Sequence, residues 1–261
     1  MSRRSLPDRA GTPRNLAAMT ITVIIPTLNE ESTLARTLER TFQLGFDEII
    51  VVDGGSTDRT RDLVLQFSLA QHRSAITACP VLAITAPRGR AAQMNAGAAL
   101  SRNDLLLFLH ADTLLPDEAR DAIVNAMAEP TCAGGRFEVQ FDKTTALGSV
   151  ISTMMNVRSR LSGIATGDQA NFVRRETFEA MNGYAVIPLM EDIDFTRRLK
   201  RRGRVATLRH QVTTSYRRWE SQGPARTVVL MWTLRFLYWC GMSPEILSRF
   251  YAAVRRENLQ Q

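Results

Sequence analysis

The chain has 261 residues, of which 44% are hydrophobic and 23% are charged, and it carries a formal net charge of +7. This composition is typical of a soluble globular protein with one large domain or two small ones. Its three cysteines lie far apart and are odd in number, which excludes a disulfide framework and a clustered metal site and indicates a reducing cytoplasm. No run of about 18 apolar residues occurs, which excludes a plain membrane span.

The N-terminal segment, residues 1–19, is polar and rich in Arg and Pro, and it lacks the apolar core of a secretory signal. We expect a disordered extension there. No repeat or linker divides the remaining chain, so we predict one domain over 20–221 with a helical appendage over 222–261.

The first half of the chain alternates between strand-like and helix-like patterns. Apolar runs predict strands at 21–25, 49–52, 81–85 and 105–109, and helical periodicity fills the intervals and continues at 116–127. This alternation predicts an α/β fold with a mostly parallel central sheet and helices on both faces. Ligands of such sheets bind beyond the carboxyl ends of the strands. The predicted strand ends carry the polar sequences PTLNE, DGGSTD, TAPRGR and HAD.

The second half is less regular. An alternating pattern at 134–141 predicts an antiparallel strand, and short strands are predicted at 205–208 and 212–216. Helices are predicted at 147–161, 174–181, 191–201, 226–240 and 244–254.

The helix at 226–240 is apolar, but it is too short to span a bilayer and is interrupted by Arg235. It could lie on a membrane surface beside the basic cluster at 197–204. Packing against the core or against a second subunit is the alternative.

Asp53 ends a buried strand and is followed by Gly54 and Gly55. A carboxylate fixed at a strand end, beside glycines that let a ligand approach closely, can accept hydrogen bonds from a nucleobase or a ribose. An Asx turn before the next helix would use the same residues. The pattern alone leaves both interpretations open.

Asp112 ends another apolar strand in the sequence His110-Ala111-Asp112. Carboxylates at such an edge hold divalent cations that bridge to phosphate oxygens. His110 could be a further ligand or a hydrogen-bond donor to phosphate. A helix cap formed by Asp112 and Thr113 is the structural alternative.

Together these stretches resemble the family 2 glycosyltransferases with a GT-A fold, over roughly residues 21–203. Residues 24–30 resemble that family's opening (V/I)IPxxNE motif, 48–58 its EIIVVDDGSTD, 89–97 its GxxxAxNxG, 107–112 its FLDAD and 190–203 its EDxDxxxRxxxxG. A small soluble subgroup, labelled for arsenosugar or carotenoid-acid glycosylation, is similar to this chain at the same places.

The resemblance implies a Rossmann-like GT-A fold and an inverting transfer from a nucleotide-diphosphate sugar, with uridine as the expected base. Asp192, in the pair Glu191-Asp192, would be the catalytic base, and Asp112 would hold Mg²⁺ or Mn²⁺ on the diphosphate. Such a transfer needs a carboxylate to take the acceptor proton and a cation to neutralise the leaving group. The implied nucleotide-sugar residues are Pro26, Thr27, Asn29, Glu30, Asp53, Gly55, Arg88, Arg90, Asn95, His110, Ala111 and Arg218.

The chain departs from the family pattern at two places. His110 replaces the first acid of the metal motif, so Asp112 would need another ligand, for which His210 is one candidate. The sequence SYRRW at 215–219 resembles the QxxRW motif of processive members, with Ser where Gln would stand. Arg218 could bind diphosphate and Trp219 could stack on a sugar. This mismatch and the lack of membrane spans argue against a processive polymerase.

The acceptor is expected to be a small molecule or a lipid-linked compound. Asp168 and Gln169, which lie in the region that faces the acceptor in this family, are candidates to bind its hydroxyls; a loop turn is the structural alternative. We expect a cytoplasmic protein, with peripheral membrane contact through 226–240 as a further hypothesis.

Three other functions fit the sequence less well. A sugar nucleotidylyltransferase would need a Gly-rich loop where the chain has PTLNEES, and a dinucleotide oxidoreductase would need GxGxxG after the first strand. A non-catalytic binder of anions or nucleic acid is supported only by the net charge, and the acids at the strand ends argue against it. We therefore expect no nucleic-acid partner.

Overall fold

A computed structural model describes residues 19–73 and 79–258 of the protein, without the side chains of residues 72, 73, 218 and 255–258. The predicted disordered extension, residues 1–19, lies outside the described residues except for Met19, which is buried in the core.

A single eight-stranded sheet organises the described residues. Its strands are β1 (Ile21–Thr27), β2 (Glu48–Asp53), β3 (Val81–Thr85), β4 (Leu105–Phe108), β5 (Thr113–Leu114), β6 (Cys132–Phe141), β7 (Asn171–Arg174) and β8 (Arg204–Thr214), in the spatial order β3-β2-β1-β4-β7-β6-β8-β5. The first four strands are mutually parallel, β7 is antiparallel to β4 and β6, β8 is parallel to β6, and β5 is antiparallel to β8.

Helices cover both faces of the sheet, which confirms the predicted α/β fold. They are α1 (Leu34–Gln43), α2 (Thr60–Arg73), α3 (Arg90–Leu100), α4 (Ala119–Met127), α5 (Ala146–Ser162), α6 (Arg175–Ala180), α7 (Glu191–Leu199), α8 (Arg217–Gln222), α9 (Pro224–Trp239) and α10 (Pro244–Asn258). In β1, Val23 packs with Leu38 of α1, whereas the next residue, Ile24, packs with Met94 of α3 on the opposite face. Burial on both faces explains why this strand is an unbroken apolar run.

Gly97 brings α3 close to the sheet. A Cβ atom at this position would lie 2.6 Å from Cγ2 of Ile24, so any other residue would push the helix outward. The first residue of α3, Arg90, is thereby held at the carboxyl edge of the sheet.

The second half of the sheet corrects two predictions. The strands predicted at 205–208 and 212–216 are one strand, β8, whose pairing with β6 shifts between Phe137 and Glu138. β6 is antiparallel to β7, as predicted, but runs parallel to β8 along most of its length. Its alternating polar residues, Arg136 and Glu138, are buried and bind Ser159 and Arg160 of α5.

A third correction concerns the chain after β4. Thr113 belongs to β5, and the next helix, α4, begins only at Ala119. Asp112 and Thr113 therefore do not cap a helix, and that interpretation is wrong.

The last two helices share a small apolar core with the loop before α7. Met190 is buried there with Leu230 and Leu234 of α9 and Leu247 of α10. Helix α9 also contacts α5. Within residues 19–73 and 79–258, no helix combines the length and the apolar character that crossing a bilayer requires.

Candidate active site

The loops after β1 and β2 are tied to each other. The backbone N–H of Asn29 donates to Oγ of Ser56 over 2.9 Å, and Oδ1 of Asn29 accepts from the backbone N–H of Thr57 over 2.8 Å. Asn29 adopts a positive φ of 56°, which asparagine tolerates better than most residues. The two predicted nucleotide-binding loops therefore form one connected surface at the carboxyl edge of the sheet.

Asp53 forms a turn with the residues that follow it. Its Oδ2 accepts hydrogen bonds from the backbone N–H groups of Gly55 and Ser56, both at 3.0 Å, and the side chain is buried. This is the Asx turn that the sequence left as an alternative. The carboxylate of Asp53 therefore already accepts hydrogen bonds within the protein. Its contact with a nucleobase stays a prediction.

Gln93, which was not among the predicted site residues, lies beneath this edge. Its Nε2 donates to the carbonyl oxygens of Thr27 and Val52 over 2.8 and 2.7 Å, so one side chain joins the ends of β1 and β2. Pro26 and Thr27 are themselves buried and form part of this floor rather than an open surface.

A cavity of about 180 Å³ opens beside the same edge. Its ionisable lining includes six of the predicted site residues, from four separate segments: Arg90, His110, Asp112, Asp168, Glu191 and Asp192. In such a sheet the carboxyl ends of the parallel strands and the N-termini of the helices that follow them lie at one edge. Strand β7 is antiparallel to β4 and therefore begins at that same edge. Segments that are distant in the chain converge here for this reason.

Asp192 is the carboxylate with the most unusual surroundings in the cavity. It is buried, its Oδ2 accepts a 2.9 Å hydrogen bond from the backbone N–H of Gly167, and its Oδ1 has no hydrogen-bond partner among the described residues. Burial, and next the negative charge of Glu191, raise the pKa of Asp192 to about 7. Asp192 therefore presents a carboxylate oxygen that can exchange a proton near neutral pH.

Glu191, by contrast, is held in an ion pair. Its Oε1 lies 3.0 Å from Nε of Arg90, and Nη1 of Arg90 lies 3.5 Å from Nε2 of His110. Both acids are in the first turn of α7, where the helix dipole favours negative charge. The ion pair partly offsets the charge of Glu191 and orients Arg90 toward His110.

Gly167 allows His110 and Asp192 to approach each other. A Cβ atom at this position would overlap Nε2 of His110 and would lie 2.7 Å from Oδ2 of Asp192. Gly167 was not among the predicted site residues. Its role depends on residues far away in the chain, so no local pattern indicates it.

The candidate metal residue, Asp112, lines the cavity with His110. Glu30 lies near it: burial first, and then the charge of Asp112, raise the pKa of Glu30. In the described part of the chain, no three His, Cys, Asp or Glu residues form a metal-binding group, and His210 is exposed and does not line the cavity. Mg²⁺ at phosphate sites is commonly held by one or two carboxylates and the substrate's own phosphates. The donor set therefore fits a cation that binds together with a diphosphate.

Arg217 of α8, which was not among the predicted site residues, contacts Glu30. Nη2 of Arg217 lies 3.3 Å from Oε2 of Glu30, and its Nη1 donates to Oγ of Ser32 over 2.7 Å. The side chain of Arg218 lies outside the described residues. Trp219 lines the cavity and packs edge-on against Phe141.

Two predicted ligand residues have their side-chain amides engaged inside the protein. Asn95 bonds the backbone of Tyr184 twice, accepting from its N–H and donating to its carbonyl oxygen, both at 2.9 Å. Gln169 is fully buried and bonds the backbone of Thr166 and Phe137. Neither is among the described residues that line the cavity.

Of the remaining predicted residues, Ala111 is buried and its carbonyl oxygen accepts from Thr37, while Gly55 and Arg88 are exposed in the loops after β2 and β3. The cavity also contains two arginines that were not predicted as ligands, Arg158 of α5 and Arg235 of α9. In the sequence, Arg235 stands out only as a charged residue that interrupts an apolar helix.

Two relatives illustrate the sequence kinship of the chain. It is 29% identical to the probable glycosyltransferase YdaM of Bacillus subtilis (strain 168) over 201 residues, which cover 69% of this chain and 46% of YdaM. It is 32% identical over 170 residues to the undecaprenyl-phosphate 4-deoxy-4-formamido-L-arabinose transferase of Pseudomonas aeruginosa (strain LESB58), covering 62% of this chain and 49% of that protein. The chain thus spans about half the length of these curated relatives.

Solved structures with the same fold include TarS (residues 1–349) of S. aureus, with a TM-score of 0.59 and 18% identity over 76% of this chain and 60% of that one. Another is the mannosyltransferase PcManGT of Pyrobaculum calidifontis in complex with GDP-Man and Mn²⁺, with a TM-score of 0.58 and 21% identity over 97% of this chain and 73% of that one. These likenesses establish the GT-A fold. The family model for glycosyl transferase family 2 matches residues 22–187, and the chain belongs to that family.

Proposed function

We propose that this protein is an inverting glycosyltransferase that moves a sugar from a nucleotide-diphosphate sugar to a hydroxyl or carboxyl acceptor. Family membership supports the reaction class, and the buried, unpaired Oδ1 of Asp192 in the cavity is the observation that carries the mechanism. The donor base is proposed to be uridine, in keeping with the family resemblance; a TarS structure was solved with UDP-GlcNAc.

For a hydroxyl acceptor, Asp192 is the proposed general base. The acceptor oxygen attacks the anomeric carbon from the face opposite the diphosphate, its proton passes to Oδ1 of Asp192, and the bond to the diphosphate breaks with its electron pair. A pKa of about 7 suits this role, because the carboxylate is ionised often enough to accept the proton and basic enough to hold it. Opposite-face attack inverts the anomeric configuration.

Asp112, with His110 beside it, would hold Mg²⁺ or Mn²⁺. The cation would supply charge neutralisation for the departing diphosphate. Arg90 is positioned by Glu191 and adds a positive charge at the same edge of the cavity. Asp168 is proposed to bind the acceptor, since it lines the cavity as Asp192 does.

We further propose that the protein works in the cytoplasm at a membrane surface, on a lipid-linked acceptor. Exposed apolar residues recur along one face of α9 at Val229, Trp232, Phe236 and Trp239. Helix α9 lies beside α7, since the charges of Asp194 and then of Arg197 and Arg198 act on Tyr238, and the last turn of α7 is basic. An apolar face beside positive charge favours binding to anionic membranes.

The first experiment measures thermal stabilisation by UDP, GDP, TDP and ADP, each with and without Mn²⁺. We expect one nucleotide to raise the melting temperature only with Mn²⁺, because ligands that bind only the folded state stabilise it. Asp112→Ala should abolish that shift, whereas Asp121→Ala, at an exposed position of α4, should leave it intact. If no nucleotide shifts the melting temperature, the proposal is wrong.

A second assay separates the enzyme alternatives. A nucleotidylyltransferase releases pyrophosphate from a nucleoside triphosphate, whereas a glycosyltransferase releases a nucleoside diphosphate from a sugar nucleotide. We expect diphosphate release and no pyrophosphate.

A further inference from the structure

Two arginines line the cavity without an ion-pair partner. Nε and Nη2 of Arg158 are buried and have no hydrogen-bond partner, and neither Arg158 nor Arg235 forms a salt bridge within the described residues. Buried guanidinium groups are normally paired, because removing a charge from water is unfavourable unless an opposite charge compensates for it. Two arginines without ion-pair partners in one cavity indicate a ligand with negative charge.

Further positive charge lies close to these arginines. Burial, and next the charge of Arg158, lower the pKa of Arg235 to about 10. Burial and the charge of Arg158 likewise lower the pKa of the fully buried Arg136 to about 10. Asp168 attracts both cavity arginines but forms no ion pair with either, and its Oδ1 instead accepts from Oγ1 of Thr166.

The two arginines lie in the cavity together with Asp168 and Asp192. The acids that act on Arg235 are Asp168 and Asp192. Asp112 instead acts on Glu30, which is paired with Arg217. The two arginines therefore lie on the side of the proposed base, Asp192.

The wall around Arg158 and Arg235 is apolar and continues to the protein surface. Ile151 and Met155 are buried in the cavity, whereas Met154 and Trp232 line it and are also 42% and 54% exposed. From there the apolar surface extends along α5 and α9, on residues that recur at helical spacing: Leu147, Val150, Val157 and Leu161 on α5, and Val229, Phe236 and Trp239 on α9.

We propose that Arg158 and Arg235 bind a phosphate group on the acceptor, and that the acceptor is an amphiphile whose apolar body leaves the cavity between α5 and α9. This inference rests on the proposed function, since it takes the Asp192 side of the cavity as the acceptor side. Guanidinium groups suit the task because their planar donors match phosphate oxygens. The cavity thereby selects acceptors by an anionic head and an apolar tail together.

The test uses the full chain and decyl phosphate below its micelle concentration, with decyl maltoside and inorganic phosphate as probes of tail and head alone. Binding is followed by tryptophan fluorescence, since Trp219 and Trp232 line the cavity. We expect decyl phosphate to bind at least about tenfold more tightly than either partial probe. Decyl maltoside lacks the hydrogen bonds between a charged head and the arginines, and inorganic phosphate lacks the apolar tail.

Arg158→Gln and Arg235→Gln should each weaken decyl phosphate binding about tenfold or more. Arg226→Gln, which removes the same charge from an exposed position of α9, should not. Arg158→Gln should not lower the melting temperature, because it removes a buried charge without a partner. Equal binding of decyl phosphate and decyl maltoside, or unchanged binding in both cavity variants, would overturn the proposal.

Nucleotide binding separates this inference from the proposed function. We expect stabilisation by the donor nucleotide with Mn²⁺ to persist in Arg158→Gln; its loss would assign the arginines to the donor and overturn the acceptor subsite. Binding of decyl phosphate without any nucleotide binding would instead overturn the proposed function alone. Vesicles of phosphatidylcholine with a long-chain alkyl phosphate identify the source: arginine-dependent binding there indicates a bilayer lipid, and binding of the soluble probe alone indicates a soluble amphiphile.

Discussion

The backbone N–H of Gly167 donates to Oδ2 of Asp192 over 2.9 Å, and a methyl group on Gly167 would lie 2.7 Å from that same oxygen. One residue thus orients the proposed base and leaves room for it. We predict that Gly167→Ala lowers kcat by about 100-fold, because small displacements of catalytic groups have large effects on rate. Stabilisation by the donor nucleotide is measured alongside kcat, because the added methyl group would also overlap His110 on the donor side of the cavity. Wild-type kcat in the variant would contradict this role.

The rate of transfer should depend on the ionisation of Asp192. Its pKa is raised to about 7, so the carboxylate is protonated and inactive at lower pH. For a hydroxyl acceptor, we predict that kcat rises tenfold per pH unit below about pH 7 and levels off above it. Initial rates from pH 5 to 9 test this. A flat profile would exclude Asp192 as the base.

Replacing Asp192 should lower the activity of the protein and raise its stability. The folded protein holds the proton of Asp192 up to about pH 7, whereas the unfolded chain loses it near the ordinary value of 3.8, so wild-type stability falls as pH rises between these values. Asp192→Asn removes this penalty. We predict an unfolding free energy about 1–3 kcal/mol higher at pH 8, with no gain below pH 4, and a kcat lowered by about 10²–10⁴.

The matched control for that experiment is the neighbouring acid. Glu191→Gln breaks the ion pair with Arg90, and it should lower stability at pH 8 instead of raising it. Denaturant unfolding of Asp192→Asn and Glu191→Gln at pH 8 and below pH 4 measures this difference in stability. Equal behaviour of the two variants would contradict the distinct environments assigned to these acids.

Membrane contact through α9 predicts binding to anionic liposomes at low salt. Trp239 is 82% exposed, so Trp239→Ser should reduce sedimentation with the liposomes several-fold. Leu65→Ser, at an exposed apolar position of α2, is the control and should have no effect. Absence of wild-type binding at low salt would exclude the membrane hypothesis.

Asn95 should act on stability rather than on donor binding. Asn95→Ala removes two hydrogen bonds to the backbone of Tyr184 and should lower the unfolding free energy by about 1–3 kcal/mol. Asn125→Ala, at an exposed position of α4, should leave it unchanged. A raised KM for the donor at unchanged stability would instead favour the predicted ligand role.

The sequence predicted the sheet edge well because apolar strands that end in polar residues are a local signal. The fold then brings Asp112, after the parallel strand β4, and Asp192, in the first turn of α7, to one cavity. The sequence could not predict which side chains are engaged elsewhere, since Asn95 and Gln169 find their partners through the tertiary fold. Arg158 remained unnoticed for the same reason: it lies on a helix outside the resembling motifs and becomes part of the site only through packing.

The burial of Met190 against α9 and α10 has a consequence for the smallest piece of this chain that could work as an enzyme. Met190 directly precedes Glu191 and Asp192 and adopts a positive φ of 71° at the start of α7. The segment that defines the family kinship ends at residue 187, before this start. Packing of Met190 against the last two helices therefore fixes the position of the proposed base, Asp192. The minimal catalytic unit must include these helices.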